Sequence, residues 1–142
     1  MVRLVGSEMC IRDRGSEYAA GWDLYALEDS VVPFRKSVKL RTGIIVAIPD
    51  GYEGQVRARS SLGSKGLILP HSIGTIDADY RGELFVLMTW IGEGDSYTVK
   101  AGERIAQLLI SPIPEVRFDE VSVEDLGDTK RGTGGFGSTG RF

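Results

Sequence analysis

Leu84-Phe85-Val86-Leu87-Met88-Thr89-Trp90-Ile91 is the stretch whose reading decides the fold. A run so nearly all apolar is expected of a β-strand buried on both faces, and Gly92-Glu93-Gly94-Asp95 turns it into a further strand at Ser96–Val99. Upstream, Val38, Leu40, Ile44, Val46 and Ile48 alternate with a two-residue period that Thr42-Gly43 interrupts and Pro49-Asp50-Gly51 closes with a turn. Tyr52 to Ala58 is a second strand there, and downstream Ile105 to Ile110 is another, ended by Ser111-Pro112. Ser60 to Lys65 is the one helical turn expected, with Ser60 or Ser61 as its cap, whereas Val123 to Leu126 is too short to assign. From Val31 onward the pattern is therefore all-β, and short, regularly spaced strands with Gly, Pro and Asp turns make a sandwich, jelly roll or barrel.

Bulk properties narrow the function. A chain of 142 residues suits a single domain over 1–142. Its net charge of −3 comes without a Lys/Arg stripe, which argues against a nucleic-acid partner, whose binding draws on many phosphate contacts. A mononucleotide needs only two or three well-placed cations. Cys10 is the only cysteine, so no internal disulfide or Cys-based zinc site is expected. No run of 18 apolar residues and no signal-peptide core occur, so the expectation is a soluble, cytoplasmic protein without a membrane partner. Residues 1–14 are atypical: Gly6 to Arg14 (GSEMCIRDR) has neither strand nor helix periodicity and looks more like translated adaptor sequence than a native element. The 19 glycines must supply turns or close approaches of backbone to a ligand.

Many of those glycines lie at the C-terminus. Gly132-Thr133-Gly134-Gly135-Phe136-Gly137 formally fits G-x-G-x-x-G, but that dinucleotide fingerprint needs a following helix, and five residues leave no room for one. What remains, over 130–142, is a mobile Gly-rich arm carrying Arg131, Phe136, Ser138 and Thr139. Such an arm can wrap phosphate oxygens with backbone N–H groups while Phe136 stacks on a base, the plain alternative being a disordered terminus.

Elsewhere the residues leave alternatives open. Asp77 and Asp79, two apart in an extended segment, make either a metal-facing pair or a solvated turn. Arg59-Ser60-Ser61 at the start of a helical turn is either an anion site or a surface arginine beside a capping serine. Ser60 as a nucleophile would need a base and a G-x-S-x-G setting, and the chain's one histidine, His71, has no evident role as that base. Gln107 inside an apolar strand must find a partner, and Asp23 reads locally as a turn residue.

In chain order, Ala20–Ala26 (AGWDLYA), Ala58–Gly66 (ARSSLGSKG), Gly74–Glu83 (GTIDADYRGE), Gly102–Leu109 (GERIAQLL) and Arg131–Gly140 (RGTGGFGSTG) resemble the five motifs of the trimeric deoxyuridine triphosphatase (dUTPase) family, from about Gly15 to the end. One block alone is weak; five in order are very specific. The resemblance implies a jelly-roll-like homotrimer with active sites shared between subunits. It hydrolyses dUTP to dUMP and pyrophosphate with Mg²⁺, limiting uracil in DNA and supplying dUMP for dTMP synthesis. By the same resemblance Asp77 is the general base for the attacking water, Tyr80 packs under the deoxyribose, and the backbone of Gly74, Thr75 and Ile76 reads uracil. Arg59, Ser60, Ser61 and Gln107 grip phosphates, as do Arg131, Gly135, Ser138 and Thr139 of the arm, while Phe136 covers the base in a neighbouring subunit's site. Asp23 positions water on a Mg²⁺ held mainly by the triphosphate. His71 departs from the family, where Asn is commoner beside the uracil; if it lines the pocket, its protonation makes binding pH-sensitive. Two rivals are a dCTP deaminase-type relative, which the Gly-rich Phe arm argues against, and a catalytically silent nucleotide-binding trimer, which Asp77, Tyr80 and Arg131 argue against.

Overall fold

A computed structural model describes residues 1–6 and 14–140, so Cys10, most of the atypical stretch after Gly6, and the last two residues of the arm lie outside the described residues. The elements run β1 (Arg3–Val5), β2 (Trp22–Tyr25), β3 (Ser30–Pro33), β4 (Ser37–Arg41), β5 (Ile45–Ala47), β6 (Tyr52–Ala58), α1 (Ser60–Gly63), β7 (Leu67–Ile68), β8 (Gly74–Ile76), β9 (Phe85–Trp90), β10 (Ser96–Val99) and β11 (Arg104–Pro112), followed by a 3-10 turn at Val123–Leu126. The fold is all-β and jelly-roll-like. Its largest sheet has the order β2-β11-β6-β8, a second has β4-β9-β7, and β10-β3 and β1-β5 form antiparallel pairs. No helix among the described residues is long and apolar enough to cross a membrane.

The sheets meet over one cluster of buried apolar residues. Leu24, Val56, Ala106 and Leu108 come from the four-stranded sheet, Leu40, Leu67, Val86 and Met88 from the three-stranded one, and Val32, Val99 and Val46 from the pairs. Along β2 and β6, and along β11 from Ala106 onward, alternate side chains turn inward, so the outer face of these strands is left to Asp23, Gln107, Arg57 and Gln55. Shortening a fully buried member such as Leu24 to Ala costs about 2–5 kcal/mol, because the cavity closes only in part.

Several expectations need correcting. β1, β2 and β3 begin before Val31 and carry too few apolar residues in alternation to be seen as strands; they are held by pairing with β5, β11 and β10. β9 is buried on both faces only from Met88 to Trp90: Phe85 is exposed and Leu87 half-buried, because this end of the strand lines a pocket. β9 and β10 do not pair with each other. The 92–95 turn, pinned by the Trp90 Nε1–H bond to the Gly94 carbonyl at 3.2 Å, carries the chain from one sheet to another. β11 runs on through Pro112, which stands opposite Tyr52 at the strand's end, where the missing N–H costs little. The helical turn is present, but neither serine caps it. Arg59 holds the cap position with extended backbone (φ −90°, ψ 137°), no side chain caps it, and Ser60 is already the first helical residue.

Candidate active site

Two pockets with different linings open on the molecule, and they have no lining residue in common. The first, about 270 Å³, is built almost entirely from one contiguous stretch. β8 pairs with β6, placing Thr75 opposite Gln55, and the chain then turns at 77–80, closed by the Tyr80 N–H bond to the Asp77 carbonyl at 3.1 Å. Tyr80 folds back over its own loop and donates its hydroxyl to the Glu83 carbonyl at 2.9 Å. Gly82 makes this possible, since a Cβ there would overlap the tyrosine hydroxyl and ring. Ile76, Leu84, Phe85 and Leu87 supply apolar wall, with the Asp77 carboxylate exposed beside it. Such a pocket accepts a flat, weakly polar ring and keeps one carboxylate at hand for a proton.

At its base, Glu83 accepts hydrogen bonds from Arg41 Nε at 3.2 Å and Nη2 at 3.1 Å, and from the Gly43 N–H at 2.9 Å. The hydrogen bonds from the Arg41 guanidinium hold the Glu83 carboxyl below the usual carboxylate range, against the opposing effect of its desolvation.

The second pocket, about 340 Å³, is polar and gathers distant segments: Asp23 from β2, Arg59, Ser60 and Ser61 at the β6–α1 junction, and Arg104 and Gln107 from β11. The Asp23 carboxylate sits between two guanidiniums, with Arg59 Nε at 3.7 Å and Arg104 Nη1 at 3.6 Å. Arg59 also donates to the Arg104 carbonyl at 3.1 Å, and Gln107 Nε2 donates to the Ala58 carbonyl at 3.2 Å, so the glutamine's polar head is satisfied. Two cations around one carboxylate leave the cluster net positive, and hydroxyls at the start of the helical turn add donors. This arrangement suits a phosphate chain. Its donor set, one carboxylate already facing two arginines, does not make a protein-only cage for a divalent cation; it fits a cation that arrives chelated by an anionic ligand, with Asp23 reaching it through water.

The dUTPase family profile matches residues 7–140. The chain belongs to the dUTPase family. The deoxyuridine 5'-triphosphate nucleotidohydrolase of Zymomonas mobilis is 45% identical over 136 residues, covering 95% of this chain and 91% of the relative. That of Wolbachia pipientis from Culex pipiens is 47% identical over 127 residues, covering 87% and 82%. Among solved structures, a mutant dUTPase of Staphylococcus bacteriophage 80alpha with dUpNHpp matches with a TM-score of 0.82 at 28% identity, covering 99% of this chain and 98% of that one.

Within this dUTPase-family chain, the site residues expected from sequence divide among two pockets, the arm, and the pair His71 and Gly74. Thr75, Ile76, Asp77 and Tyr80 come together in the first pocket, and Asp23, Arg59, Ser60, Ser61 and Gln107 in the second. Arg131, Gly135, Phe136, Ser138 and Thr139 belong to neither: the arm lies outside both pockets, folded into tight turns by bonds such as Arg131 Nε to the Gly134 carbonyl at 2.7 Å, with Phe136 fully exposed at φ 48°. Asp79 does not line the pocket beside Asp77, so the paired-carboxylate alternative is not realised. His71 and Gly74 are not among the residues lining the first pocket; the His71 side chain is exposed and lies beside Gly74.

Arg104, Glu83 and Lys39 were missed by sequence reasoning. Arg104 and Gln107 are three positions apart, a spacing that puts them on opposite faces of a regular strand. A β-bulge between Arg104 and Ala106 resets the alternation: Ile105 and Ala106 are both buried, and Arg104 emerges on the same face as Gln107.

Proposed function

We propose that this chain hydrolyses dUTP to dUMP and pyrophosphate, and that its active site is assembled from more than one copy. The observation that carries the reading is the division of labour between the pockets: Asp77 and Tyr80 on an apolar wall in one, a cationic cluster in the other, with no lining residue in common. A second copy would bring the cationic pocket of one subunit to the apolar pocket of its neighbour, and the arm of 130–140 would reach across to a further site. Ile113, Val116, Phe118, Val121 and Val123 on the segment leading to the arm are exposed, and a third, apolar pocket lined by Val2, Leu4, Trp22, Val46, Leu108 and Ile110 opens on the surface. Both features favour self-association over a solitary subunit, and the family resemblance makes that assembly a homotrimer.

In this reading the uracil is bounded by the β8 backbone from Gly74 to Ile76, and Tyr80 packs under the deoxyribose. Asp77 orients a water and takes its proton as the water oxygen attacks the α-phosphorus in line. The bond from that phosphorus to the bridging oxygen breaks, and pyrophosphate leaves without a covalent enzyme intermediate. Arg59, Ser60, Ser61, Gln107 and Arg104 hold the phosphates, joined by Arg131, Gly135, Ser138 and Thr139 of the arm, with Phe136 over the base. Mg²⁺, bound mainly by the triphosphate, would supply further charge neutralisation on the phosphate oxygens, with Asp23 fixing a water of its shell. We place the protein in the cytoplasm as a single domain over 1–142, with dUTP and its own copies as partners.

Pyrophosphate release measured with dUTP, dCTP and dTTP in parallel tests the activity. Release from dUTP alone is expected; none from dUTP would overturn the reading. Sedimentation of the active protein tests the assembly, and full activity in a stable monomer would exclude shared sites.

A further inference from the structure

Glu83 occupies an unusual position between two parts of the molecule. Its backbone carbonyl accepts the Tyr80 hydroxyl at 2.9 Å, while its side chain is forked by Arg41 and bonded by the Gly43 N–H. Its neighbour Leu84 is tied to the same β4–β5 corner twice over: the Thr42 hydroxyl donates to the Leu84 carbonyl at 2.6 Å, and the Leu84 N–H donates to the Ile44 carbonyl at 2.7 Å. The main chain at 84 is therefore held to the core whether or not Glu83 keeps its charge. What depends on the Glu83 side chain is the bend from 80 to 83. That bend is short, passes through Gly82, and ends on the carbonyl that fixes the Tyr80 ring.

We infer that Glu83, clamped by Arg41 and the Gly43 N–H, is a positioning residue for sugar selection: it fixes the 80–83 bend so that the Tyr80 ring stands close enough to exclude a 2′-hydroxyl. The inference rests on the dUTP reading of this pocket. Glu83 acts through the Tyr80 ring, whose hydroxyl its own backbone carbonyl holds. A loosened bend lets the ring retreat by a fraction of an ångström, and the room gained is of the size a ribose needs. Gly82 offers an independent route to the same ring, because a side chain there would overlap the tyrosine hydroxyl and ring while leaving the fork of Arg41 and Glu83 intact.

The test is steady-state kinetics of the full chain and of Glu83→Gln, Arg41→Lys and Gly82→Ala with dUTP and UTP, alongside thermal melting of each. Losing a charge-assisted clamp should lower the dUTP:UTP ratio of kcat/KM by roughly tenfold in Glu83→Gln. The change should appear in the two KM values, while kcat for dUTP moves less. Arg41→Lys, which cannot fork, should shift the ratio in the same direction by a smaller factor, and it serves as the primary variant if Glu83→Gln does not fold. Gly82→Ala should also change the ratio. A lowered melting temperature with an unchanged dUTP:UTP ratio in both the Glu83 and Arg41 variants would overturn the inference alone and leave Glu83 a fold-holding residue. Failure of the unmodified chain to hydrolyse dUTP would overturn the underlying reading and the inference with it.

Discussion

The apolar pocket and the cationic pocket are made in opposite ways. The first is almost a single peptide: eleven consecutive positions, Thr75 to Phe85, furnish most of its wall, and β4 and β9 contribute Lys39 and Leu87. The second draws on β2, the β6–α1 junction and β11, which meet only because the four-stranded sheet brings β2, β11 and β6 side by side. A pocket folded from one stretch keeps its internal geometry through short-range turns and bonds, such as the 77–80 turn and the Tyr80–Glu83 bond. One gathered across a sheet inherits its geometry from strand register, so a slip of one residue would empty it.

The largest effect that would sharpen this contrast is expected at Asp77. Asp77→Asn should lower kcat for dUTP by about a thousandfold while substrate affinity changes little, since it removes a proton acceptor and preserves shape. Near-normal turnover would exclude Asp77 as the base. Next, Arg59→Ala should weaken inhibition by inorganic pyrophosphate by roughly ten- to a hundredfold, with deoxyuridine binding unaffected. Equal losses for both ligands would break the division between the pockets. Arg104→Ala should act on pyrophosphate in the same sense by about tenfold or less, because part of its charge is already engaged by Asp23.

The smallest expected effect concerns pH. Glu83 has its carboxyl held below the ordinary value of 4.5 in the folded state, so its contribution to stability is present above that pH and fades as pH falls through the lower folded value. In urea titrations of wild type and Glu83→Gln, the difference between the two midpoints should therefore shrink on acidification below about 4.5. A difference that stays constant would mean the fork contributes nothing through its charge.

The same contrast explains what could be read from the sequence. β6 was legible to the residue, since Val56 and its neighbours alternate cleanly between turn signals, and the Gly74–Glu83 block carried the apolar pocket in plain order. β2 was not, because a four-residue strand with a single fully buried side chain, Leu24, has no period to detect. Arg104 was hidden by the bulge, which breaks the rule that residues three apart face opposite ways. The absence of a serine cap on α1 was hidden too, since capping depends on a one-residue offset in backbone angles that side-chain identity does not reveal. The phosphate-wrapping reading of the arm came from its glycines, Arg131, Phe136 and hydroxyls, whereas the roles of Asp77 and Tyr80 came only through resemblance.

The bulge in β11 also determines which kinds of sequence drift this site withstands. Replacing Ile105 by Val removes one methylene from the core at about 1 kcal/mol and leaves the ladder unchanged. Deleting Ile105 is another matter. The outward aim of Arg104 would survive, but Glu103 would be drawn one step along the strand, away from the Tyr97 hydroxyl at 2.7 Å and the Lys100 N–H at 3.0 Å that anchor the neighbouring corner. At this point in the chain, substitution is a local event and a change of length is a global one, so the number of residues there is under tighter constraint than their identity.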